Sequence, residues 1–212
     1  MSAEHVASAA AIHCQALPDD LIPRLGAKFA ERQLYRRVVE LPSAIGYVYI
    51  LNGRVVGYVT ATLDPSFYHY SLSEKAIIPY LLLPAFVRRP SLVRDLLDTM
   101  RFARAKEQLP YLTSEIASVG VLPECRTPEF FRAHGVNIAR QLNVRVLREL
   151  RQRGIPEVFG IFRPENALAV VAYQNLGFTR RDEFSVNGSR RVVLGCALQT
   201  DDMARRLAQE PA

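Results

Sequence analysis

The chain's 212 residues, 49% hydrophobic and 23% charged, suffice for one well-cored domain but not for two, and exclude a disordered or low-complexity protein. The longest apolar run, Ala76 to Val87, is broken by Pro79 and Pro84 and falls short of the ~20 residues needed to cross a bilayer, so a soluble, cytoplasmic protein is expected. A net charge of +6 suits an anionic ligand, yet the basic residues are spread out and no nucleic-acid motif accompanies them, so no nucleic-acid partner is expected.

Met1 to Ile12 lacks a basic start followed by an apolar core, and no secretory leader is expected. Ala3 to Leu17 and Leu21 to Glu40 carry apolar residues at helical spacing and predict two helices. Ile45 to Leu51 and Arg54 to Leu63 are β-rich runs joined by Asn52-Gly53, the pair that favours a type I′ turn, and predict a hairpin. From Asp64 to Pro110 the pattern is helical and punctuated by prolines, with Ser91 as N-cap of a helix that ends near Gln108. Tyr111 to Leu122 returns to strand character. Asn137 to Arg153 predicts a basic helix with Ala139, Leu142, Val146 and Leu150 on its apolar stripe and Gly154 at its end. Strand Glu157 to Phe162, helix Ala167 to Leu176 and a hairpin of Glu183 to Val186 with Arg190 to Leu198, turned by Asn187-Gly188, complete the domain at about residue 200; residues 201–212 form a short helix or a frayed tail.

One stretch is more specific than these patterns. Arg163 to Phe178 reads R-P-E-N-A-L-A-V-V-A-Y-Q-N-L-G-F, directly after the β-branched and aromatic run Ile155 to Phe162. In that setting N-x-x-A-x-x-x-Y-x-x-x-G-F resembles the cofactor-side helix of the GNAT superfamily of N-acetyltransferases. The resemblance covers about Glu4 to Ala197 and implies a mixed α+β fold, with Asp64 to Pro110 as a helical insertion between the third and fourth strands of that fold. It also implies acetyl-CoA, or another acyl-CoA, as co-substrate.

In this family two neighbouring parallel strands splay apart and the pantetheine arm lies in the gap, which the resemblance assigns to Ser114–Val121 and Glu157–Phe162. Splaying strands leave backbone groups that need a partner, so Val119 and Val121 are expected to contact the arm through their backbones. The family's phosphate loop, Q/R-x-x-G-x-G/A, uses successive N–H groups at a helix N-terminus. Here two registers fit imperfectly, Arg132, Gly135 and Asn137, or His134, Asn137 and Ala139, with Val136 inside both; the second keeps the usual helix length to Gly154. Thr127 to Phe131 look inserted ahead of the loop, and Asn137 is read as tolerating the positive φ of an anion-binding turn. Asn166 opens the cofactor-side helix.

The resemblance makes Tyr173 the acid that protonates the departing thiolate and Glu115 the base for the amine, six residues ahead of Val121. His134 or His69 are alternatives for the base. Cys14, Cys125 and Cys196 are odd in number and far apart, which argues against disulfides or a metal site, and Cys125 has no histidine partner in sequence. Direct transfer in a ternary complex is therefore the expectation. The insertion reads as a lid that brings Tyr68, His69 and Tyr70 to the acceptor, or equally as an extra helical layer or a homodimer face; its apolar run also permits contact with a membrane surface. The acceptor is expected to be a small-molecule amine. A module that binds acyl-CoA without catalysis is the rival reading.

Overall fold

A computed structural model describes residues 1–64, 67, 87 and 90–210. Six strands form one mixed sheet in the order β1-β2-β3-β4-β6-β5. β1 (Ala44–Leu51) and β2 (Arg54–Thr62) pair as an antiparallel hairpin. Asn52 and Gly53 both have positive φ, 49° and 76°, as a type I′ turn requires. β3 (Glu115–Val121) runs antiparallel to β2, and β4 (Glu157–Phe162) follows β3 in parallel. β5 (Thr179–Val186) and β6 (Ser189–Ala197) form the second hairpin, with β6 beside β4. In the chain's own count the inserted segment falls between β2 and β3.

The N-terminal half differs from the two helices expected. α1 (Val6–Ala16) is continuous, but Leu21 to Glu40 is broken at Gly26, φ 101°, into α2 (Leu21–Leu25) and α3 (Ala27–Ala30), followed by a π-turn (Glu31–Tyr35) and α4 (Arg36–Glu40). The wide π-turn brings three successive residues, Gln33, Leu34 and Tyr35, into the interior; such turns mark irregular helices, often near functional sites. α5 (Ser91–Glu107) starts after Pro90 at the N-cap position, and Ser91 is its first residue rather than its cap. The Ser91 hydroxyl instead accepts from Arg24 at 3.1 Å.

α6 (Pro128–His134) accounts for the inserted residues. Thr127 caps it by accepting from the Phe130 N–H, and Pro128 occupies the first turn where a missing N–H costs nothing. α7 (Ile138–Gln152) begins after Asn137, whose side chain accepts from the Arg140 N–H, and buries Ile138, Leu142, Val146 and Leu150. A side-chain carbon on Gly57 of β2 would collide with Ile138 and Leu142; the missing side chain lets α7 lie close on that face. On the opposite face the Tyr58 ring packs against His13 and Tyr35. α7 and α1 therefore sandwich the β1–β3 half of the sheet.

α8 (Ala167–Asn175) follows β4, and α9 (Asp201–Gln209) closes the described chain. Of the two readings of residues 201–212, the helix forms: Met203 and Leu207 are buried. The basic surface of α7 holds it there. Arg140 binds the Glu210 carboxylate through two nitrogens, Arg148 donates to the carbonyls of Leu207 and Glu210, and Arg151 donates to those of Leu198 and Thr200. Arg145 lies over the Tyr47 ring and Arg153 binds Glu149. The arginine-rich helix is thus explained by contacts within the chain. Among the described residues no helix is long and apolar enough to cross a membrane.

Candidate active site

The parallel pairing of β3 with β4 has a single register position, Glu115 opposite Phe159. The Phe159 N–H donates to the Ser114 carbonyl at 3.0 Å, and the Ser114 hydroxyl donates to the Glu157 carbonyl at 2.5 Å. These bonds tie the strands where they begin. Just beyond, Ala117 is an extra residue in β3, because Thr60 faces Ser118 while the next position, Ala61, faces Ile116. A bulge bends its strand and increases its twist, and the β3–β4 pairing stops just before it. The facing edges of β3 past Ala117 and of β4 past Phe159 are left without strand partners, a slot lined by backbone donors and acceptors.

Alternation divides the side chains around this slot between two faces. Val119 and Val121 pair with Val59 and Gly57, and Gly57 faces α7. Tyr173 of α8 reaches the slot from the same face. Its ring packs edge-on against Phe162 and Phe178 at 4.6 and 4.9 Å, and its hydroxyl donates to Asn143 Oδ1 on α7 at 3.0 Å. Asn143 in turn donates to the Ala139 carbonyl at 2.8 Å. α7, which comes after β3 and α6, and α8, which follows β4, are thereby joined across the slot by one hydrogen bond. Burial and then the negative charge of Glu115 hold the Tyr173 phenol well above its ordinary value, so it keeps its proton near neutrality.

Glu115 occupies the other face, paired with Thr62 at the root of the slot. It is not a lone carboxylate: Lys106, at the end of α5, donates to its Oε2, with side-chain exposures of 6% for the lysine and 12% for the glutamate. A little further along, Ser118 shares a 2.8 Å hydrogen bond with Tyr58, and Tyr35 bonds His13 Nδ1 at 2.6 Å. Burial lowers His13 to about 4, which leaves it neutral. Burial and then Glu124 push the Cys125 thiol up, which favours its protonated form near neutrality.

The phosphate-loop residues divide. Gly135 takes the left-handed conformation, φ 64°, and ends α6, whereas Asn137 has φ −101° and caps α7. The positive φ expected at Asn137 therefore belongs to Gly135, and the turn between the helices is Gly135-Val136-Asn137. Arg132 points to Glu129 on the surface, and the His134 ring packs tilted against Phe130 at 4.4 Å. Asn166 caps α8 by accepting from the Ala169 N–H at 3.3 Å. Tyr68, His69 and Tyr70 lie outside the described residues.

Asn143 and Lys106 were not singled out from sequence. Asn143 is a polar residue on the apolar stripe of α7, four residues after Ala139, and that mismatch was its signal. Lys106 carried none, since its partner is nine residues away across a turn.

A mixed sheet whose central parallel strands part, with a helix following each and one tyrosine at the gap, is the GNAT N-acetyltransferase fold, and the chain has that fold. The structure is similar to that of a ribosomal-protein-alanine N-acetyltransferase from Brucella melitensis, at 14% identity and a TM-score of 0.56 over 93% of this chain and 97% of that one. It is similar also to SsHAT, at 18% identity and a TM-score of 0.55 over 93% and 95%, and to another acetyltransferase at 15% and 0.53 over 93% and 97%. No protein-family model and no curated protein matches the sequence. At these identities the likeness is one of fold.

Proposed function

We infer that the protein is an acyl-CoA-dependent N-acyltransferase that transfers acetyl from acetyl-CoA to a primary amine of a small molecule. The observation that carries this reading is the slot beyond Glu115 and Phe159. Its unpaired N–H and C=O groups would be costly without a partner, and an amide-bearing pantetheine arm supplies complementary groups. Val119 and Val121 would hold the arm through their backbones, and Gly135 to Ala139, with Asn166, would hold the phosphate end. When bound, acetyl-CoA contributes a thioester whose carbonyl carbon the amine attacks; a C–N bond forms and the C–S bond breaks.

The chain's own groups deal with the protons. Glu115 accepts, directly or through water, the proton that the amine gives up. Its Lys106 partner balances the carboxylate's charge in a buried setting, while Oε1 has no partner among the described residues. Tyr173 meets the developing thiolate from the opposite face, its single O–H turning from Asn143 Oδ1 to the sulfur as the negative charge grows there. Because its pKa is raised, its contribution begins as that hydrogen bond, and the proton follows as the C–S bond breaks. Amine and thioester react directly in a ternary complex.

A second reading rests on two observations. The turn ahead of α7 lacks the family's glycine-rich sequence, and Arg140, in the first turn of α7, is occupied by Glu210. Both features suit a protein that binds acyl-CoA weakly or only senses it. Thiol release from acetyl-CoA over an amine panel, read beside calorimetry with acetyl-CoA, separates the readings. An enzyme binds and turns over, a sensor only binds, and a protein that does neither refutes both.

A further inference from the structure

The sheet face that carries Glu115 also holds two neighbouring arginines that make no ion pair among the described residues. On β4 and β6 the last antiparallel pair is Phe162 with Val192, so the next two positions in register are Arg163 and Arg191. Phe159 and Val193 pack with Leu112 in one small cluster, and strand alternation puts Arg163 and Arg191 on that same face. The Arg191 guanidinium lies 5.6 Å from the centre of the Phe102 ring of α5, on the side away from Tyr173. Asp20, at the start of α2, senses both guanidinium groups and also influences Tyr58. All of these groups therefore belong to the face that carries Glu115 and Ser118.

Two arginines next to one another repel, and proteins usually relieve this with carboxylates. The neighbours on the same sheet do so: Arg180 and Arg190 both bind Glu183, and Arg181 binds Glu157. Among the described residues neither Arg163 nor Arg191 has an ion pair; Arg191 donates only to Ser189 Oγ and the Arg190 carbonyl. Burial, and then Arg163, lowers Arg191 from its usual range, with the nearby carboxylates of Glu165 and Asp20 opposing in part. Across from them burial raises the Asp20 carboxyl, with the two arginines opposing that rise only in part. The two cations thus share one sheet face, with Asp20 and Glu165 near them but no carboxylate in an ion pair with either among the described residues.

We propose that the acceptor carries an oxyanion, carboxylate or phosphate, besides its amine, and that Arg163 and Arg191 bind this oxyanion while the amine points towards Glu115. The proposal rests on the N-acyltransferase reading. Guanidinium forks match both kinds of oxyanion. Four residues of β4, about 13 Å, separate Arg163 from the level of Glu115 and Phe159, a span that long arginine side chains and a small zwitterion bridge together. The specificity lies in the two ends of such an acceptor, the oxyanion matched by the arginines and the amine by Glu115.

The test compares n-propylamine, β-alanine and phosphoethanolamine as acceptors for wild type, Arg163→Gln and Arg191→Lys, by thiol release and by calorimetry on CoA-loaded protein. Wild type is expected to prefer one or both anionic amines, and the two anionic probes decide between carboxylate and phosphate. Arg163→Gln is expected to lower the anionic-to-neutral ratio of kcat/KM by about tenfold or more, the scale of one lost charge-assisted contact. Arg163 is exposed, so this variant keeps its fold; Arg191→Lys, which keeps a charge but loses the fork, should lose less. An unchanged ratio overturns the proposal. So does a loss confined to acetyl-CoA affinity, which would assign the arginines to the cofactor's phosphates. If no amine releases thiol, the N-acyltransferase reading fails on its own, and calorimetry still decides: β-alanine or phosphoethanolamine binding that Arg163→Gln weakens supports an oxyanion site, and no binding overturns it.

Discussion

Glu115 lies opposite Phe159, and β3 and β4 are paired at no other position. The carboxylate thus stands at the point where the sheet opens. Tyr173, which senses its charge, approaches from the other face. Base and acid candidates are set on opposite sides of one slot, Glu115 by strand alternation and Tyr173 by its helix, and the Ala117 bulge lies where the slot begins.

Replacing Tyr173 by Phe keeps the ring that packs on Phe162 and Phe178 and removes only the hydroxyl. Turnover is expected to fall about 10²- to 10⁴-fold, the usual contribution of a positioned acid, with acetyl-CoA affinity little changed. Steady-state thiol release checks the first and calorimetry the second. Unchanged turnover would remove Tyr173 from the chemistry.

Asn143→Leu tests the bond between the two helices. It leaves the buried Tyr173 hydroxyl without its acceptor, which costs about 1–3 kcal/mol, read as a lower urea midpoint. Turnover should fall as well, because Tyr173 loses the group that orients it.

Lys106→Met strands a nearly buried carboxylate, and loss of one partner from such a pair costs about 3–5 kcal/mol. Lys106→Met combined with Glu115→Gln removes both charges and should recover much of the stability but not the activity. Equilibrium denaturation of the single and double variants gives the comparison.

The fold was more legible in the sequence than the site. Asn-Gly pairs announced both hairpins because a type I′ turn needs two residues at positive φ, and β4 ran over the residues its composition predicted. Leu21 to Glu40 kept its helical stripe in sequence while Gly26 and the π-turn broke it in space, a tertiary effect that brings Tyr35 onto His13. Tyr173 was legible because its spacing from Asn166 is a property of one helix. The partners of Glu115 and Tyr173 were not, since each ion pair or hydrogen bond joins separate elements. Arg163 and Arg191 become neighbours only through the β4–β6 register.

Acid stability should depend on His13. Its folded value of about 4 lies below its ordinary 6.5, so between these pH values the unfolded chain binds a proton that the folded chain does not. Stability is therefore full above about 6.5 and declines as pH falls towards 4, by about 3 kcal/mol from this group. Urea midpoints across that range should flatten in His13→Gln relative to wild type.

Hydrogen exchange of the β3 and β4 amides, with and without acetyl-CoA, tests the central claim most directly. If the slot holds the cofactor, amides within residues 117–121 and 160–162 become protected on addition of acetyl-CoA, while those of the distant β5–β6 turn do not. Exchange in the slot that is the same with saturating acetyl-CoA as without it would contradict the account.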